Sequence, residues 1–223
     1  MKKLLEFQAE LTRNNNREWF HANKERYDQT QAELKALVAQ VEEGLSRKDV
    51  IDTSKTRIFR LNRDVRFSNN KDPYTKHRSA FFTRLGAERR GGYYLRIENG
   101  ESRIAGGFFG PEPGDLLHIR KQIQQEPDVL REILHTPELK AYFGELQGDQ
   151  VKTAPKGFQK EDPAIDLIRY KQFMLRHSFT DKEVASANFT EMVISGFEKM
   201  RPFLDYMTEI LTTDLNGENL LME

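Results

Sequence analysis

The chain has 223 residues, with 35 Lys and Arg against 35 Asp and Glu, and no cysteine. Balanced charge provides no global field to draw it to nucleic acid or a membrane surface, and the missing cysteines exclude disulfides, thiolate nucleophiles and cysteine metal ligands together. Fifteen Phe, seven Tyr and one Trp argue against disorder, because such side chains supply the burial that opposes chain entropy.

Residues 2–12 place Leu4, Leu5, Phe7 and Leu11 on one helical stripe. Glu6 and Gln8 interrupt the apolar start, so it reads as an amphipathic helix and not as a leader. Nowhere does the chain reach the roughly 18 apolar residues of a spanning helix. A cytoplasmic protein with no membrane partner is expected. Asn14 to Asn16 end the first helix, and Asn15 with Glu18 has capping-box spacing for the next. Helical spacing then runs from Trp19 to about residue 46, with a break expected near Asn23 and a weak last turn at Gly44.

From Thr56 the period changes to two. Phe59, Leu61, Val65 and Phe67 would share a buried face, with Arg60, Asn62, Asp64 and Arg66 on the other. Arg63 falls on the apolar side and predicts an end or bulge there. Asn69-Asn70 and Asp72-Pro73 are turn chemistry, and strand character resumes from Arg78 to Leu85. Tyr93 to Ile97 and Glu101 to Phe109 flank Asn99-Gly100, which predicts a hairpin whose turn has both residues at positive φ. Gly106-Gly107 marks a bulge or a close backbone approach. Pro113, Pro127 and Pro137 open three helices. A helical turn follows Pro163, and Tyr170 to Phe179 alternates as a strand. Thr180 with Glu183 and Asn188 with Glu191 repeat the capping-box spacing ahead of a last helix that contains Pro202. One α+β domain over residues 1–223 is expected: a central antiparallel or mixed sheet with helices from both chain ends packed on it.

The segment from Arg57 to Arg78 holds seven Lys or Arg and only Asp64 and Asp72 against them, a local charge of +5 in a neutral chain. Arg forks match carboxylate and phosphate geometry, so converging arginines make an anion receptor. Arg60, Asn62, Arg63, Arg66, Lys71 and Lys76 are the candidate ligand-binding residues. Lys156, beside Gly157 in an irregular loop, is a further candidate. Asp64 is the candidate catalytic residue, as a base or metal ligand for phosphoester chemistry, or else the counter-ion of Arg63 or Arg66. The plainer alternative pairs the arginines with the acids of residues 126–150. Tyr74 reads as the core-packed residue of a Pro-fixed turn. His21, His77, His118, His135 and His177 are scattered, so no metal site is expected, and no cofactor motif occurs.

Asn15-Asn16-Arg17-Glu18-Trp19-Phe20, then Arg60 to Ser68 with Lys71-Asp72-Pro73-Tyr74, then Gly106-Gly107-Phe108-Phe109-Gly110-Pro111 and Pro155-Lys156-Gly157-Phe158 resemble a widespread family of conserved hypothetical proteins, mainly bacterial with fungal members. The resemblance spans nearly the whole chain and implies a full-length domain of unknown function. It implies no activity, cofactor or catalytic residue.

The expectation is therefore a site for an anionic, phosphate-bearing small molecule or nucleotide. The alternatives are a nucleic-acid-binding module using the same cations on an open surface, and a non-catalytic interaction protein docking through the acidic stretch after Pro202.

Overall fold

A computed structural model describes residues 1–86 and 90–221. The N-terminal helix α1 (Lys2–Arg13) buries Leu4, Leu5, Phe7 and Leu11, the stripe its periodicity predicts. α2 (Arg17–Ala22) is capped by Asn16, whose side-chain oxygen accepts from the Trp19 N–H at 2.9 Å. The cap thus lies one residue beyond the expected Asn15, which is used elsewhere. Asn23 separates α2 from α3 (Lys24–Ser46), at the expected break. Gly44 leaves room for Ile194, whose side chain a Cβ would strike, so packing accounts for the residue that weakens the helix.

Five strands form an antiparallel sheet in sequence order: β1 (Arg57–Ile58), β2 (Arg78–Thr83), β3 (Gly92–Ile97), β4 (Ser102–Phe108) and β5 (Phe173–Phe179). β1 is far shorter than its alternation predicts. Arg57 pairs with Phe81 and Ile58 with Ala80, and one isolated bridge joins Asn62 to Tyr74. Beyond it the chain turns back on itself. Leu61 is buried, but Phe67 is 96% exposed, so the apolar alternation past Asn62 does not mark a strand face. The reason is Arg63. Its guanidinium donates to the Asp72 carbonyl at 2.9 Å and to Ser68 Oγ at 3.2 Å, holding residues 63–73 as a loop.

The β3–β4 hairpin forms as read, with a different turn. Glu101 N–H donates to the Glu98 carbonyl at 3.1 Å, and Gly100 alone has positive φ, at 71°. Asn99 keeps negative φ because its side-chain amide donates to Leu5 O of α1 at 2.9 Å. Gly107 has φ 133°, and a Cβ there would collide with the Phe173 carbonyl of β5. This is the close backbone approach the glycine pair predicts.

α4 (Pro113–Gln125), α5 (Pro127–His135) and α6 (Pro137–Phe143) each start on the proline that announces them. α7 (Ile165–Ile168) is a single turn. α8 (Asp181–Val184) carries the full Thr180–Glu183 capping box. α9 (Phe189–Thr212) runs through Pro202 unbroken. Among the described residues no helix is long and apolar enough to cross a membrane.

Two compact units share these elements. The first comprises Met1–Phe82, Tyr94–Ile104 and Ser178–Ser195; the second comprises Thr83–Tyr93, Ala105–His177 and Gly196–Glu223. In the first, Gln8 of α1 donates to Ile97 O of β3 at 3.3 Å. In the second, Phe197 of α9 packs on Tyr93 with ring centres 5.0 Å apart, and Met200 lies against Gly106. Helices from both chain ends therefore lie on the sheet.

Gly107→Ala and Gly100→Ala should separate backbone collision from backbone strain. Gly100→Ala, with open space around it, is expected to cost about 1–2 kcal/mol for the left-handed conformation alone. Gly107→Ala must also displace β5 and should cost more than about 3 kcal/mol, read as the difference in urea-unfolding free energy.

Candidate functional site

The basic segment lies wholly in the first unit, on a two-stranded ladder with a defect. Phe59 N–H donates to Ser79 O at 2.9 Å, whereas Thr75 N–H donates to Leu61 O and Arg63 N–H to Pro73 O, both at 2.8 Å. Between these rungs Arg60 alone faces Lys76, His77 and Arg78. The extra residues form a bulge, across which Thr75 Oγ1 donates to His77 O at 2.9 Å. Arg60 is thereby set across the ladder from residues 76–78, two of which are cations.

Asn15 holds the ladder to the helices. Its Nδ2 donates to Tyr74 O at 3.0 Å, and Tyr74 N–H donates back to Asn15 Oδ1 at 3.1 Å. Tyr74 is buried, as its reading predicts, and stacks on Phe20 at 4.3 Å with planes 27° apart. Phe7, Leu11 and Leu61 complete that cluster, and Trp19 and Tyr27 pack on it.

The cations find few acids. Arg66 forks onto Asp64, with Nη2 2.7 Å from Oδ2 and Nε 3.0 Å from Oδ1. Arg63 is spent on Asp72 O and Ser68 Oγ, and Lys71 donates to Val65 O at 3.0 Å. Arg57 stands over Phe59 at 4.8 Å and Phe81 at 5.7 Å. Arg60 and Lys76 are exposed and, among the described residues, form no hydrogen bond or ion pair. Arg78 is only 3% exposed, donates Nη2 to Gln31 Oε1, lies over the Tyr27 ring at 5.8 Å, and buries Nη1 without an acceptor. Of the seven, Arg66 alone has a carboxylate partner among the described residues. The pairing expected with the acids of residues 126–150 does not account for the segment. There, Asp128 pairs with Arg131, Glu138 with Lys199 and Glu145 with Lys140.

The titrating groups follow this geometry. The Arg66 fork, then the Arg66 N–H, and then the charge of Arg60 hold the exposed Asp64 carboxyl below its usual range. A carboxylate so stabilised is a poor proton acceptor at neutral pH, and its role in the fold is as the counter-ion of Arg66. Burial pushes the Arg78 guanidinium down. His77 is pushed down first by burial, then by Arg96, with Arg103 and Arg78 adding and Glu98 opposing.

Asn62 is exposed at the bridge to Tyr74. Lys156 belongs to the second unit, exposed beside Gly157 at φ 91°, in a turn closed by Phe158 N–H on Pro155 O at 3.1 Å. No group of three metal-ligating side chains forms among the described residues. A cavity of about 550 Å³ in the second unit is lined by Gln122, Tyr206, Glu209 and Asp214 among others, and is unsuited to an anion. Two acids of the stretch after Pro202 are engaged within that unit: Asp205 takes Arg84 and Arg201, and Asp214 accepts from the Asn216 and Glu218 N–H groups. Sequence reasoning missed Gln31, because only the fold brings α3 beside β2, and missed the clamp role of Asn15.

Asn15→Ala should lower stability by about 1–3 kcal/mol, two hydrogen bonds at roughly 0.5–1.5 kcal/mol each, read in chemical denaturation. His77 carries a pH signature. Its folded pKa lies below the unfolded value of about 6.5, so the unfolded chain binds the proton first. Stability should be full above that value and fall as pH drops from about 6.5 through the depressed folded value, and His77→Gln should flatten the profile in that window.

The family model described as conserved hypothetical protein (DUF2461) matches residues 3–206. No curated protein and no solved structure matches the chain.

Proposed function

The chain belongs to that family of conserved hypothetical proteins, and we propose that its basic segment is a site for an anionic, phosphate-bearing small molecule or nucleotide. One observation carries the reading: among the described residues, Arg66 alone of the seven cations in residues 57–78 is matched by a carboxylate. Like charges crowded together raise one another's energy until a counter-charge arrives. Arg60 and Lys76, on opposite strands at the bulge and, among the described residues, without a hydrogen bond or ion pair, are the two that gain most from an anion.

The other candidates divide by what they already do. Arg63 spends donors on the loop and shapes it; Arg66 and Lys71 are each engaged but retain donors, since a guanidinium has five and an ammonium three. Asn62 offers an exposed amide for a neighbouring hydroxyl. Asp64 enters as the counter-ion of Arg66. Lys156 stands exposed beside Gly157 in the other unit. Arg78 adds a buried cation beneath the segment, and burying a charge without its partner costs several kcal/mol, which a nearby anion would offset.

Thermal melts against inorganic phosphate, pyrophosphate, sugar phosphates and nucleotides test this. A ligand at a hundredfold excess over its Kd adds about 2.7 kcal/mol, or roughly 5–10 °C in Tm for a chain of this size. Arg60→Ser with Lys76→Ser should abolish the shift and leave the unliganded Tm level or slightly higher. A flat response of the native chain to every anion would sink the reading.

A further inference from the structure

In the first unit the strands sort their residues onto two faces. Ala80 and Phe82 of β2, Leu95 and Ile97 of β3 and Ile104 of β4 are buried. The residues alternating with them, Phe81, Tyr94, Arg96 and Arg103, are half-exposed. β1 extends this second face. Arg57 lies directly across from Phe81, and Phe59, 37% exposed, meets Tyr94 edge-on with ring centres 6.2 Å apart.

Charge on the face is unevenly matched. Arg96 is held by Glu98, and Glu101 lies 3.8 Å from Arg96 and 3.9 Å from Arg103. Among the described residues Arg57 has no acid, only the rings of Phe59 and Phe81 beneath it. One guanidinium without an acid among the described residues, that of Arg57, therefore lies on the half-open ring of Phe59, and Arg60 is the next residue along the chain.

Aromatic rings beside free cations suit a flat, electron-rich ring tethered to a phosphate, because stacking takes the base and the cations take the backbone. A second copy of this chain is disfavoured, since it would set the same cations against one another. We infer that Phe59 and Tyr94 form a nucleobase-stacking platform, and that the anion met by Arg60 and Lys76 is the phosphate of a nucleotide, free or within a single strand. This rests on the anion site proposed above and names its ligand. Phe67, fully exposed at the loop tip 5.8 Å from Arg66, is a second ring that only a strand would need.

The test uses the full chain and titrates inorganic phosphate, ribose 5-phosphate, mononucleotides and fluorescent single-stranded 12-mers. Mononucleotides should bind about 5- to 100-fold tighter than ribose 5-phosphate, the gain that one stacked base supplies. Phe59→Ala should erase that gain while leaving ribose 5-phosphate binding intact, and Phe59→Trp should keep it. Equal affinity for mononucleotide and ribose 5-phosphate, or a Phe59→Ala chain that still prefers the nucleotide, would overturn the platform and leave the anion site standing. Binding of none of these would overturn both. Affinity that climbs with strand length, falls with salt and drops in Phe67→Ala identifies the strand as the source; affinity that saturates at one nucleotide and ignores Phe67 identifies the free nucleotide.

Discussion

Asn15 and Tyr74 exchange two hydrogen bonds across 59 residues of chain, and the basic segment depends on that exchange. Where regular pairing stops at Ile58, the backbone groups of Tyr74 would otherwise lie against a helix with no partner, at the cost of a buried unsatisfied pair. The Asn15 side chain supplies both an acceptor and a donor, so one residue replaces a strand. The Phe20–Tyr74 stack and the buried Leu61 add apolar area to the same point. Held there, the loop from Arg63 to Pro73 can carry its cations outward without dispersing them.

The arrangement works against electrostatic economy. A fold selected only for stability would match Arg60 and Lys76 with acids, and would replace Arg78, buried with an orphaned Nη1, by an apolar side chain of similar size. Elsewhere the chain makes such matches: Arg26 forks onto Glu10, Arg96 pairs with Glu98, and Arg84 pairs with Asp205 through one nitrogen. Local violation of otherwise consistent rules is where function tends to be placed.

The one internal ion pair of the segment also has a structural use. Asp64 accepts from the Arg66 backbone as well as its side chain, closing a tight turn within the loop. The two charges quench each other there and leave the other six cations of residues 57–78 with only Asp72 inside the segment.

Local chemistry made most elements legible. Proline at a first helical turn, Thr180 with Glu183, and the leucine stripe of α1 act within four residues of themselves, so their outcomes barely depend on the rest of the chain. The errors fell where a distant residue intervened. Asn99 turned away from the expected conformation because its side chain binds Leu5, and the predicted strand through Phe67 failed because Arg63 found carbonyl and hydroxyl acceptors across the loop. By itself, the sequence determined the helices, the hairpin, the fold class and the excess of positive charge in residues 57–78, since periodicity and composition are local sums. Only the tertiary structure decided which of those cations have acids, that Arg60 lies across a bulge from residues 76–78, and that Gln31 meets a buried Arg78, because an ion pair depends on separations of a few ångströms between residues that sequence spacing leaves unconstrained.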